Sequence, residues 1–349
     1  MTSWHATDEV AEALRDGRPV VALESTILTH GLAREPRAMS AKFMNVFPKW
    51  DVNRPTNLAA ALGAEAAVRA SGAVPATIAI IDGRVCVGLT STQLEQFCAN
   101  DGASKVSLRD LGSAIAHQRT GGTTVASTSC IAAMSGISLF ATGGIGGVHR
   151  GWSKTLDFSA DLMAIATHPV LVVSAGAKIL LDLPATLEAL ETLGIPTLGF
   201  GSRFFPRFTV SPDQNLLLPD QVEDAAEAAR VVAAHWSVRP SCGALLMQAC
   251  PENFALPAEQ TEHALATAMV DAQALGIRGA ATTPFLLARL ASSGEGQEVV
   301  EANLALLFAN ASLAAQVASL QCRGFLSLPQ EELVESIEDG QRLWIFPQT

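Results

Sequence analysis

Residues 170–181 read Val-Leu-Val-Val-Ser-Ala-Gly-Ala-Lys-Ile-Leu-Leu. The first six lack the apolar–polar alternation of a strand with one wet side, which predicts a strand covered on both faces. Working outward, Ser138–Thr142 (SLFAT), Thr77–Ile81 (TIAII), Pro19–Ser25 (PVVALES) and Gly243–Gln248 (GALLMQ) have the same character. Gly122–Ser127 (GTTVAS) reads as a weaker strand. Asp82-Gly83 between apolar flanks predicts a tight hairpin into Val85–Leu89. Helical periodicity runs through Leu58–Ala70, Ser159–Ala166, Leu187–Leu193 and Val222–Trp236. The last third is mostly helical, over Ala258–Leu275, Pro284–Ala291 and Val299–Leu320, with Pro284 suited to a first turn. The pattern is that of an α/β protein with a helical C-terminal portion. Two stretches read as loosely attached: Ala33–Asn53, mixed in charge and without a persistent period, and the tail from Cys322 to Thr349, whose Leu343–Phe346 run suggests a docked strand or patch.

The 349 residues suffice for one large domain or two modest ones, and 49% hydrophobic against 16% charged residues is a globular composition. Twenty-three basic against 34 acidic residues leave a net charge of −11 without any basic run, which argues against nucleic acid and anionic membranes as partners. No uninterrupted apolar stretch reaches ~18 residues, so no bilayer span is expected. The first residues carry no secretory pattern. Six scattered cysteines without a C-x-x-C pair suit reduced thiols and a cytoplasmic setting better than disulfides or zinc. The chain has no tyrosine, so no phenol serves as acid or base, and only five of its basic residues are lysines.

Ligands of parallel α/β sheets bind beyond the carboxyl ends of strands, so the residues that follow each apolar run are the candidates. Glu24 ends an apolar strand, where partial desolvation would raise its pKa and suit it to general acid work; it would equally serve to cap a helix or pair with an arginine. Gly143-Gly144-Ile145-Gly146-Gly147, followed by His149 and Arg150, reads either as an anion-binding loop or as a plain tight turn. It lacks the third glycine of a dinucleotide fingerprint, because His149 stands there. Ser159 and Asp161 fit a helix N-cap and a first-turn acid, whereas Asp157 lies outside the helix and would suit a hard divalent ion with a largely aqueous shell. Lys178 interrupts apolar sequence. An ammonium there is costly to bury without a partner, and a neutral amine attacks carbonyl-like carbons; the alternative is a lysine that snorkels to solvent or pairs with an acid. Lys105 is either a phosphate contact or a surface lysine.

Five segments resemble the pseudouridine-5′-phosphate glycosidase (pseudouridylate synthase) family: Ala22–Ile27, Gly72–Ile80, Thr123–Thr128, Phe140–Gly151 and Thr283–Arg289. The resemblance runs from about Val10 to Ala318, and the glycine loop is its most specific part. It implies a three-layer α/β/α fold with a mostly parallel sheet, a homotrimer, one manganese ion (Mn2+) per subunit, and interconversion of pseudouridine 5′-phosphate plus water with uracil plus ribose 5-phosphate. By motif it implies Glu24 as proton donor, Lys178 as covalent nucleophile and Asp157 as metal ligand, partly through water. Lys105, Val125, Ser159, Ala160 and Asp161 would hold substrate, with His149 and Asn303, and more weakly Asn310, as further ligand contacts.

One α/β domain over residues 1–321 and a tail over 322–349 is the expected organisation. The sequence departs from the family pattern by the insertion 33–53 between His30-Gly31-Leu32 and Arg54-Pro55-Thr56-Asn57, and in Phe200 and residues 204–217, which bears on base recognition. Two other readings remain: a C-glycoside synthase that joins ribose 5-phosphate to another aromatic acceptor, and a non-catalytic ribose-phosphate sensor. A sensor has no use for a nucleophilic lysine.

Overall fold

The computed structural model describes residues 4–277, 285, 286, 289, 296–322, 334–338 and 341–345. Its main sheet is built from β1 (Trp4–Ala6), β2 (Val20–Leu23), β3 (Val74–Ile81), β4 (Arg84–Val87), β5 (Ser104–Val106), β6 (Gly121–Thr123), β7 (Leu139–Ala141), β8 (Leu171–Ser174), β9 (Thr197–Phe200), β10 (Asp220–Val222) and β11 (Ala244–Met247). The strand order is β1-β4-β3-β2-β7-β8-β11-β9-β10, with β6 on β3 and β5 on β6. Only β3/β4 and β3/β6 are antiparallel, the first through the hairpin at Asp82-Gly83. Every residue of β2, β7, β8 and β11 is buried, as expected of strands covered on both faces.

The covering is two layers of helices. On one side the helix Gly296–Cys322 lies over β2, β7 and β8, flanked by Thr56–Ala70 and Ala225–Val238; on the other, Val125–Met134 covers β2 and β7 and packs against Ala160–Thr167. By length and composition Gly296–Cys322 could cross a bilayer, but 67% of its apolar window is buried inside the protein, and it is the central core helix. The observed architecture is thus the expected α/β arrangement with a mostly parallel sheet.

Three local expectations change. Gly122–Ser127 is a strand only as far as Thr123, since the Ser127 hydroxyl accepts from the Thr124 N–H at 2.9 Å and a helix begins at Val125. The start of the predicted helix 222–236 belongs to β10, and Asp224 caps a helix that begins at Ala225. The helix predicted at 284–291 falls mostly outside the described residues. The stretch 33–53 is not loosely attached. Ser40 caps a short helix, Ala41–Val46, whose Phe43 is fully buried. Phe43 and Phe47 pack on Phe254, and Phe47 and Trp50 on Phe308 of the core helix. Ser40 also donates to the buried carboxylate of Glu301, its hydroxyl at 2.7 Å. With only six helical residues the segment shows no period, and its partners lie some two hundred positions away. In the tail, Val334–Glu338 and Gln341–Ile345 pair as an antiparallel hairpin.

Removing the Phe43 ring should therefore cost about 3–5 kcal/mol. Urea unfolding of Phe43→Ala measures this, and a loss below about 1 kcal/mol would show that the segment is not docked through its aromatic residues.

Candidate active site

Sheet register builds the site. Leu23 of β2 is opposite Ala141 of β7, and Ala141 is opposite Val173 of β8. The residues that follow these parallel strands, Glu24, Thr142 and the turn toward Lys178, therefore emerge at one edge of the sheet. Glu24, Lys178 and Lys105 line a single cavity of about 630 Å³. The Thr142 hydroxyl donates to Glu24 Oε1. Burial pushes the Glu24 carboxyl above the ordinary glutamate range; the Lys178 ammonium and the Thr142 hydrogen bond pull the other way without cancelling it. Lys178 is half-buried in the turn after β8, where its N–H donates to Ile145 O at 3.3 Å. Gly176 in that turn has φ +73°, and a Cβ there would lie 2.1 Å from Pro206 O, so only glycine fits. Lys105 is open to solvent at the cavity mouth, yet the walls exclude part of the bulk water from its ammonium. That desolvation, and then Lys178, hold its pKa below the ordinary lysine range.

Asp161 ties this edge together. Its Oδ1 accepts from Ala126 N–H at 3.0 Å and its Oδ2 from Gly146 N–H at 2.8 Å. One carboxylate thus joins the first turns of two helices, Val125–Met134 and Ala160–Thr167, to the glycine loop. In the loop itself the N–H groups of Thr142, Ile145, Gly146, Val148 and His149 donate within the protein and so do not face a ligand. Its glycines permit close packing: a Cβ at Gly144 would meet the Phe208 ring at 2.7 Å, at Gly146 the Ser159 hydroxyl at 2.3 Å, and at Gly147 the Thr186 hydroxyl at 2.5 Å.

Val125, His149, Asp157, Ser159, Ala160 and Asp161 line the same cavity. Ser159 and Asp161 also do what helix capping asks of them: Ser159 Oγ accepts from Asp161 N–H at 3.2 Å. Asp157 and His149 stand together, with His149 Nδ1 4.0 Å from Asp157 Oδ2. Among the described residues no group of three or more His, Cys, Asp or Glu converges on one point. Asn303 and Asn310 do not line the cavity. Asn310 is fully buried, donates to Thr142 O at 2.7 Å and accepts from Gln248 at 2.9 Å, so it holds the strand end that carries Thr142 rather than a ligand. Asn303 lies beside Gly143 with a buried Oδ1 that has no partner among the described residues.

Sequence reasoning missed the Thr142 hydroxyl as partner of Glu24, although the β2–β7 register makes it the neighbour. It also missed Arg109 and Phe158 in the cavity wall. Their signal was adjacency, Arg109 to the loop after Lys105 and Phe158 to Asp157.

The family model described as indigoidine synthase A like protein matches residues 9–46 and 50–320. A Herpetosiphon aurantiacus protein named pseudouridine-5′-phosphate glycosidase is 47% identical, over 91% of this chain and 98% of its own. A protein of that name from a Nocardioides species is 44% identical, over 89% and 94%. Among solved structures, the prealnumycin C-glycosynthase AlnA in complex with ribulose 5-phosphate superposes with a TM-score of 0.80 at 36% identity, covering 93% of this chain and 98% of its own.

Because Asp161 satisfies two buried N–H groups, Asp161→Ala should destabilise the fold by about 2–5 kcal/mol, and Asp161→Asn, which keeps one acceptor, by less. Denaturant melts of the two variants check that order; equal losses would show that the carboxylate does not bridge both groups.

Proposed function

The chain belongs to the family of indigoidine synthase A like proteins, and on that premise we propose that it makes and breaks the carbon–carbon glycosidic bond of pseudouridine 5′-phosphate. The reaction interconverts that nucleotide and water with uracil and ribose 5-phosphate. The observation that carries this reading is the pairing, in one cavity, of an acid of raised pKa with an amine and a second cation: Glu24, Lys178 and Lys105. The relatives' names support the substrate, and the ribulose 5-phosphate in the C-glycosynthase supports a pentose-phosphate site.

The bond from C1′ to C5 of uracil has a carbon leaving group, and stabilising an oxocarbenium alone does not release it. A lysine changes the problem. Once it has given up its proton, the Lys178 amine bonds to C1′ while the C1′–O4′ bond breaks, and Glu24 gives its proton to O4′. The nitrogen loses a proton to the carboxylate left on Glu24, its regained lone pair forms a C=N bond as C1′–C5 breaks, and the released electron pair takes a proton at C5 of uracil. Water adds to the resulting iminium, which frees ribose 5-phosphate and the amine. One hard step becomes several easier ones. Burial favours the uncharged, proton-carrying form of the Glu24 carboxyl, which is the form that can give a proton to O4′. Lys105 and Arg109 at the mouth would meet the phosphate, alongside the helix N-termini at Val125 and Ala160.

A manganese ion fits the donor set at one place. Asp157 offers a hard oxygen ligand with a side chain 36% exposed, and His149 a nitrogen nearby; among the described residues no third His, Cys, Asp or Glu joins them, and water and phosphate would fill the shell. Asp157 and His149 would hold it, and its charge would screen the substrate phosphate. The working assembly we take to be a cytoplasmic homotrimer. Buried thiols support the reduced setting, with Cys98 and Cys250 each pushed up to about 12 by burial.

Purified chain given pseudouridine 5′-phosphate and manganese should release uracil; if it releases none, the reading falls. Glu24→Gln should lower kcat/KM by about 10²–10⁴-fold. The raised pKa sets the pH dependence. Glu24 works as an acid only while protonated, so activity should fall on the alkaline side as pH passes through its raised value. The folded chain holds this proton more tightly than the unfolded chain does. Its stabilising contribution is therefore complete below the ordinary glutamate range and lost as pH rises through the raised value. On the alkaline side of that raised value, Glu24→Gln should thus not lower Tm; a drop would contradict the costly burial of the carboxylate. In manganese titrations followed by electron paramagnetic resonance, Asp157→Ala should leave the free-ion signal that the unaltered chain removes.

A further inference from the structure

Phe158 is 45% exposed at the edge of the cavity, between Asp157 and Ser159. Its surroundings do not explain that exposure as slack. Its backbone bridges Val148, and the next residue's N–H donates to Gly147 O at 2.9 Å, so the position is pinned to the glycine loop. Its ring meets Trp152 with centroids 5.3 Å apart and planes at 74°. A T-shaped contact occupies at most one face of either ring, so Phe158 is braced while a face stays free. Among the described residues that line the cavity, it offers the only aromatic surface other than the His149 imidazole, which stands against Asp157.

The substrate class supplies what fits. A nucleobase presents a flat π-face, and stacking on an aromatic side chain is worth much of its binding without specifying its edge groups. We infer that Phe158 is the platform on which the base stacks, and that it thereby sets the tolerance of the cavity for planar acceptors. This deepens the function proposed above and rests on it. The sugar-phosphate end would be held by the cations, and Phe158 would act on the base alone. An exposed ring near Leu156, which is 75% exposed, could instead serve contacts between copies of the chain, and the measurement separates the two.

In the condensation direction the two ends are separate molecules, uracil and ribose 5-phosphate, so their KM values can be read independently. Phe158→Ala and Phe158→Leu should each raise the KM for uracil by about 10- to 100-fold, with kcat and the KM for ribose 5-phosphate little changed. Phe158→Trp, which restores a π-face, should recover most of the loss. An unchanged uracil KM in Phe158→Ala would overturn the assignment, as would a parallel rise in the KM for ribose 5-phosphate or a change of oligomeric mass accompanying the loss. If the unaltered chain joins no uracil to ribose 5-phosphate, the function proposed above fails, which is a different result from a working enzyme indifferent to Phe158.

Discussion

A carboxyl group set in a partly dry cavity with an ammonium opposite it is the constraint on which the rest depends. Glu24 stands at the end of β2 because β2, β7 and β8 are parallel and in register, and that register brings the Thr142 hydroxyl to its Oε1 and the turn after β8 to face it. Burial alone would favour the neutral acid; Lys178 draws it toward the ion. A slip of one residue in any of the three strands would turn these side chains to the other face of the sheet. The buried apolar runs thus fix the geometry of the chemistry as well as the core.

Around that pair the structure is held by contacts that reach far along the chain. Asp161 links the first turns of two helices to the glycine loop through two backbone N–H groups. Asn310 on the core helix, supported by Gln248, holds the carbonyl of Thr142 from behind. The glycines of the loop after β7 let it press against Phe208, Ser159 and Thr186.

The sheet was legible because runs such as Val170–Ala175 carry their own evidence of two-sided burial, and Glu24 and Lys178 were legible because strand ends are where such sheets bind ligands. What was not legible depends on distance in sequence. Phe43 and Trp50 find their partners at Phe254 and Phe308, so the segment 33–53 read as loose when it is docked. Asp161 had the look of a first-turn acid, and its second role became visible only when Ala126 and Gly146 were brought beside it. Local rules competed at Thr124–Ser127, where β-branched residues suggested a strand and a hydroxyl cap started a helix.

The most direct measurement of the proposed chemistry is to add borohydride during incubation with ribose 5-phosphate and locate the reduced adduct by peptide mass spectrometry. A covalent pentose phosphate on Lys178, absent from Lys178→Arg, is the expected result. An adduct on Lys105 or another lysine, or no adduct on a chain that turns over substrate, would contradict the assignment of Lys178 as the nucleophile.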